Sequence, residues 1–147
     1  MRHLSLLALF LASCHLPCCR TKPPVESSSV PESVQIEGRT LRLSVELWRD
    51  FQPISPPGGQ PMMGIVRIVA DDNLPLPADL HIEHIRLTLD KEQWTPTLSN
   101  QQEPLQLHLT NGPKWEPGRT AAAVVRLRRG EKSWLLRASG ILIRRTD

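Results

Sequence analysis

The chain has no tyrosine, two phenylalanines and three cysteines, and the cysteines, Cys14, Cys18 and Cys19, all fall before residue 20. That last scarcity excludes the most. Beyond Cys19 no internal disulfide can form, so whatever folds there is held by core burial, even in an oxidising compartment. Adjacent cysteines pair only through a strained vicinal bridge. The Cys14-His15-Leu16-Pro17-Cys18 string is not a haem attachment site, which needs two residues between the cysteines and a His directly after the second. No apolar run approaches the roughly 20 residues of a membrane-spanning helix. Nucleophile-elbow, His-Glu-x-x-His and Gly-rich phosphate-loop patterns are missing too, which leaves catalysis without a sequence signature. Fourteen prolines argue against long helices.

What is present begins with a basic tip, Met1-Arg2-His3, followed by an apolar block from Leu4 to Ala12 and then Leu11-Ala12-Ser13-Cys14. A charged start, a short apolar segment and small residues before a break form an export signal, here residues 1–13. The last four residues resemble the lipobox of bacterial lipoproteins, and the resemblance implies that Cys14 becomes the acylated first residue of the mature chain. Acyl chains at about 0.8 kcal/mol per buried methylene would then hold the protein on a membrane rather than in it. The residue after the cysteine is His15. Inner-membrane lipoproteins usually carry Asp there, so the resemblance favours the outer membrane of a bacterial envelope. From Cys14 to residue 33 the chain turns to Pro, Ser and single charges, as in Pro23-Pro24, Ser27-Ser28-Ser29 and Pro31. That composition reads as a flexible membrane tether.

Residues 34–147 have the size of one domain and read as strands. Leu41, Leu43, Val45 and Leu47 alternate with Arg42, Ser44, Glu46 and Trp48, as a half-buried strand requires. Leu105 to Leu109 and Ala121 to Leu127 alternate in the same way. Met63 to Ala70 is apolar on both faces except for Arg67, Ile85 to Leu89 continues the series, and Trp134 to Ile143 supplies one or two strands broken at Ser139-Gly140. Turn chemistry separates them, for example Pro56-Pro57-Gly58-Gly59 and Asp71-Asp72-Asn73. Seven or eight short antiparallel strands predict an all-β domain that resembles the immunoglobulin-like or fibronectin-like β-sandwich. In Leu80-His81-Ile82-Glu83-His84-Ile85 the apolar phase changes, so a bulge or a single helical turn lies there.

Five residues form the candidate recognition site. Trp48, Arg49, Asp50 and Phe51 lead from a strand into the Pro-Gly loop, and Trp115 stands among loop formers and charges in Pro113-Lys114-Trp115-Glu116-Pro117. Exposed Trp with Arg favours a protein-binding patch or a sugar platform. His81 and His84, with Met62-Met63 and His108 elsewhere, resemble the ligand chemistry of periplasmic copper-handling proteins. Residues three apart on a regular strand face opposite ways, so this pair converges only through the bulge or turn. Asp71, Asp72, Asn73 and Asp79 offer oxygen ligands for calcium but lack an EF-hand's glycine and distal Glu.

Arg126, Arg128, Arg129, Lys132, Arg137, Arg144 and Arg145 make the C-terminal third basic. Export removes nucleic acid as their partner and leaves an anionic envelope surface or the protection of a sheet edge. The sequence therefore predicts a lipid-anchored, non-catalytic binding or assembly domain with no cofactor. Its partner would be the membrane and an envelope protein or anionic polysaccharide. A copper-handling domain and an exported protease inhibitor acting through Ser55 to Pro61 are the alternatives.

Overall fold

Period-two alternation becomes eight strands in the computed structural model, which describes residues 29–98 and 105–147. They are β1 (Ser33–Ile36), β2 (Arg39–Asp50), β3 (Met62–Ala70), β4 (His81–Leu89), β5 (Glu92–Trp94), β6 (Gln106–Gly112), β7 (Thr120–Arg129) and β8 (Lys132–Thr146). The strands form one curled, open sheet in the order β5-β4-β7-β8-β2-β3-β6, with β1 beside β2. The all-β class is as the sequence predicts.

Strand β2 shows how the pattern is used. Leu41, Leu43 and Leu47 are buried, whereas Arg42 on the other face is exposed and Glu46 and Trp48 are half-buried. Antiparallel pairing with β3 sets Leu41 against Ala70 and Leu47 against Gly64, so both strands send apolar side chains to the same side. Ile82, Ile85 and Leu87 of β4, Leu107 and Leu109 of β6, Val125 and Leu127 of β7 and Leu136 of β8 join them in one core. Each fully buried aliphatic side chain contributes roughly 1.5–3 kcal/mol. Burial on this scale does the work that a disulfide would do elsewhere.

The expectation of antiparallel strands throughout needs one correction. Leu47 to Asp50 of β2 run parallel to Ile143 to Thr146 of β8. Strand β8 is also a single strand of 15 residues. Its register shifts opposite Ala121 and Ala123, where Ser139 and Gly140 together face one residue of β7. That bulge bends the strand, so its first part pairs with β7 and its last four residues with β2. A second register shift, between Ile82 and His84, identifies the phase change in β4 as a bulge rather than a helical turn.

The fold starts slightly ahead of the expected boundary at 33/34. Val30 is buried, the Arg137 amide donates to the Pro31 carbonyl at 2.8 Å, and Glu32 accepts from Arg137 at 3.0 Å and from the Ser139 hydroxyl at 2.8 Å. Residues 29–32 thus lie against β8. The export signal, Cys14, Cys18, Cys19 and the tether up to residue 28 lie outside the described residues.

Candidate functional site

The inward row of β2 does not stop at Leu47. Two residues on, the same phase delivers Arg49 to the inside, where it is 1% exposed and the only buried charged residue among those described. A buried guanidinium is tolerated only when its donors are satisfied, and here backbone carbonyls satisfy them. Nε donates to Gln60 O at 3.0 Å, Nη2 to Gly58 O, and Nη1 to Lys114 O at 3.3 Å and Trp115 O at 3.4 Å. The nearest carboxylate, on Glu116, is 4.0 Å away and mostly exposed. Arg49 therefore clasps two loops, 51–61 and 113–119, across the end of the sheet. The sequence reading placed it at the surface, and the correction follows from the continued alternation.

Phe51 is packed around the same group. The Arg49 guanidinium carbon lies 4.8 Å from the ring centroid and that of Arg145 lies 4.1 Å away, both within cation–π range. The ring also lies so close to Gly59 that a Cβ there would come within 2.7 Å of it. Trp115 is buried too, at 4% exposure, and its indole N–H donates to Glu92 at 2.6 Å. Its polar neighbours in sequence point outward while the ring caps the core, so it leaves the exposed recognition surface.

Trp48 and Asp50 remain accessible. Trp48 stands half-exposed on the outer face, opposite Met63 of β3 and Arg144 of β8. With Glu46, Leu47, Arg144, Arg145 and Thr146 it lines a hollow of about 170 Å³. Asp50 accepts from the Gln52 amide at 3.0 Å, while its own carbonyl accepts from the Gln60 amide at 2.8 Å.

The loop between β2 and β3 is two consecutive turns. Ser55 N–H donates to Gln52 O at 2.8 Å, with Pro53 in the second position, and Gly59 N–H donates to Pro56 O at 2.9 Å. In the second turn Pro57 presets one dihedral and Gly58 takes φ 80°, the type II geometry that favours glycine. The result is a turned loop whose Gly58 and Gln60 carbonyls are held by Arg49. Ile54 projects from its corner with 91% of its surface exposed. Sequence reasoning missed this residue. The available signal was the Gln52-Pro53-Ile54-Ser55 turn, since turns and loops run over the surface.

The other candidates are dispersed. The bulge does put His81 and His84 on the same exposed face of β4, with Glu83 between them. Glu83, however, accepts from Arg128 at 2.8 Å and lies 3.8 Å from Arg126, and the Arg128 hydrogen bond holds its carboxyl below the usual range. His108 sits on β6, hydrogen-bonded to Gln106 at 3.0 Å, in a strip that continues through Arg67 to Glu46. Met62 is wholly buried in the core. Among the described residues no three His, Cys, Asp or Glu side chains are placed to hold a metal. Each calcium candidate carboxylate is taken by a different arginine: Asp71 by Arg42, Asp72 by Arg39 and Asp79 by Arg129. Distant acids likewise neutralise much of the basic C-terminal third, Arg129 binding Glu37 and Arg137 binding Glu32.

No family model, curated protein or solved structure matches this chain.

Proposed function

We propose that the protein is a bacterial cell-envelope lipoprotein, acylated at Cys14, whose domain works by binding or assembly rather than catalysis. The domain is read as an immunoglobulin-type β-sandwich. Its strand order supports this: β2, β3 and β6 form one half and β5, β4, β7 and β8 the other, with inner faces in a common core. Recognition is assigned to the loop end, through Trp48, Asp50, Phe51 and Ile54.

The observation that carries the binding reading is the use of Arg49. Burying a charge is costly, and this one holds a loop in place rather than filling the core. Loops fixed in advance lose little entropy on binding, which is how a rigid scaffold gains affinity. The described chain enters along the flank of β8, where Pro31 and Glu32 bond to Arg137 and Ser139.

Intact-mass measurement on the full chain recovered from bacterial membranes, beside Cys14→Ser, tests the anchor. A mature chain starting at Cys14 with added acyl mass is expected, and an unmodified soluble chain would end that part of the reading. Retention on washed envelope material tests the loop end. Trp48→Ala combined with Ile54→Ala should abolish it with the fold intact, and unchanged retention would move recognition elsewhere.

A further inference from the structure

On the outer face of the sheet an aromatic ring and an uncommitted cation stand side by side. Strand β2 runs parallel to β8 here, and the register sets Trp48 directly across from Arg144. Neighbouring strands lie about 4.8 Å apart and opposed residues share a face, so the two side chains rise together. Both line the hollow of about 170 Å³, with Glu46 two residues before Trp48 on the same face of β2. Pairing with β8 on one side and β3 on the other fixes this platform before any ligand arrives.

The groups around the ring differ in what they have left to offer. Arg145 is taken by Asp147 and by the Phe51 ring. Arg67 takes Oε1 of Glu46 at 2.6 Å and leaves Oε2 to accept. Among the described residues, Arg144 is the one arginine whose side chain has no hydrogen bond, ion pair or ring contact. The cation–ring contacts of those residues both fall on Phe51, so no cation covers the Trp48 indole.

What remains selects a ligand. An indole face is apolar and electron-rich, and it suits the C–H face of a sugar ring. A guanidinium takes a carboxylate through paired hydrogen bonds. A carboxylate oxygen accepts from hydroxyls and offers no donor to a second anion. One spare cation beside Glu46 therefore matches a single negative charge better than a phosphate dianion. The hollow is smaller than the roughly 300–1,000 Å³ of pockets for drug-sized ligands, which leaves room for one ring. We infer that it binds a carboxylated sugar, a uronic acid residue, stacked on Trp48 with its carboxylate on Arg144 and a hydroxyl on Glu46. The inference rests on the assignment of recognition to Trp48 made above and names the ligand of that site.

Titration with sodium glucuronate tests it, followed through the four indole N–H signals of the isotope-labelled full chain in a detergent without a sugar headgroup. Trp48→Phe identifies the Trp48 signal, and the other three report that each variant stays folded. The Trp48 signal alone should move, saturating with a dissociation constant of about 1 mM. Glucose, acetate and inorganic phosphate should each bind at least about tenfold more weakly. Arg144→Gln changes an exposed side chain and should weaken glucuronate by at least about tenfold, with Arg144→Lys in between. Lys132→Gln, at the other end of β8, should leave it unchanged. No saturable shift of Trp48 up to about 100 mM, phosphate or acetate as strong as glucuronate, or Arg144→Gln as tight as wild type would each overturn the inference. Envelope retention separates that failure from failure of the reading beneath it. A chain that ignores glucuronate yet loses retention when Trp48 and Ile54 are both replaced keeps its recognition site and loses this ligand. A chain that binds glucuronate at Trp48 yet is retained without those two residues keeps the ligand site and loses the wider loop-end reading.

Discussion

Replacing Arg49 with methionine keeps much of its length and removes its charge. A buried ion pair can often be exchanged for apolar residues at no loss, because both charges leave together. Here the partners are backbone carbonyls, which stay behind. The bond to Gln60 O at 3.0 Å and the one to Gly58 O are close contacts, whereas those to Lys114 O and Trp115 O, at 3.3 and 3.4 Å, are near the limit. Hydrogen bonds from a charged donor are worth roughly 1.5–3 kcal/mol each. Counting the two close ones in full and the long ones as minor gives a loss of about 3–6 kcal/mol. For a domain of this size, at about 4 °C per kcal/mol, the melting temperature would fall by roughly 12–24 °C. Urea denaturation of Arg49→Met is the assay, with Arg42→Met as the reference, since Arg42 is half-exposed and pairs only at the surface. Arg49→Lys should fall between the two, because an ammonium cannot span both loops. A loss below about 1 kcal/mol for Arg49→Met would refute the claim that these loops depend on the clasp.

Three further outcomes follow from the same coordinates. Trp115→Phe keeps a ring over the core but loses the 2.6 Å bond to Glu92, and should cost about 1–2 kcal/mol in equilibrium unfolding, discounted because Glu92 is exposed. Gly64→Ala would place a Cβ 2.7 Å from the Glu46 carbonyl oxygen and from a Leu47 methyl, and this collision with backbone in mid-strand should cost about 2–3 kcal/mol and lower the melting temperature. Acid should weaken the domain in a defined window: the Arg39 hydrogen bonds, then the Leu74 amide, lower the Asp72 carboxyl to about 2, and Arg129, Arg128 and Arg145 lower Asp79, Glu83 and Asp147. Depressed carboxyls add stability above their unfolded values and lose it as they protonate, so the urea midpoint should hold from neutrality to about pH 5 and fall between about 4 and 2. Asp72→Asn should flatten that fall, and an unchanged acid profile would count against the Arg39–Asp72 pair.

Legibility in the sequence tracked the range of the interactions involved. Alternation from Leu41 to Leu47 and from Ala121 to Leu127 is a local property, so those strands were readable. Strand β5 spans only Glu92–Trp94, too short for a period to emerge. The break at Ser139-Gly140 was visible, but whether it ended a strand or bent one depended on β7 and β2, far away in the chain. Arg49 was misplaced because charge was weighed above phase, although the inward row led straight to it. Trp115 was misplaced because its neighbours were taken as its environment, while its real environment includes Glu92. Leu74, with 62% of its surface exposed, was unreadable for a different reason. An exposed apolar residue looks the same in sequence as a buried one.

The parallel pairing at the end of β8 also sets an order of events during synthesis. Phe51 donates its amide to Thr146 O at 2.8 Å, and Arg49 O and the Thr146 hydroxyl meet across a separation of 97 residues. Arg145, beside them, covers one face of the Phe51 ring. While the chain emerges from a ribosome, β2 and β3 can form their hairpin early, yet the loop between them lacks its last supports until residues 143–146 have been delivered. Non-local contacts of this kind close late. This end of the sheet would thus mature only after almost all of the domain has been synthesised, and a chain stalled before Ile143 would expose an unfinished loop beside an unpaired length of β2.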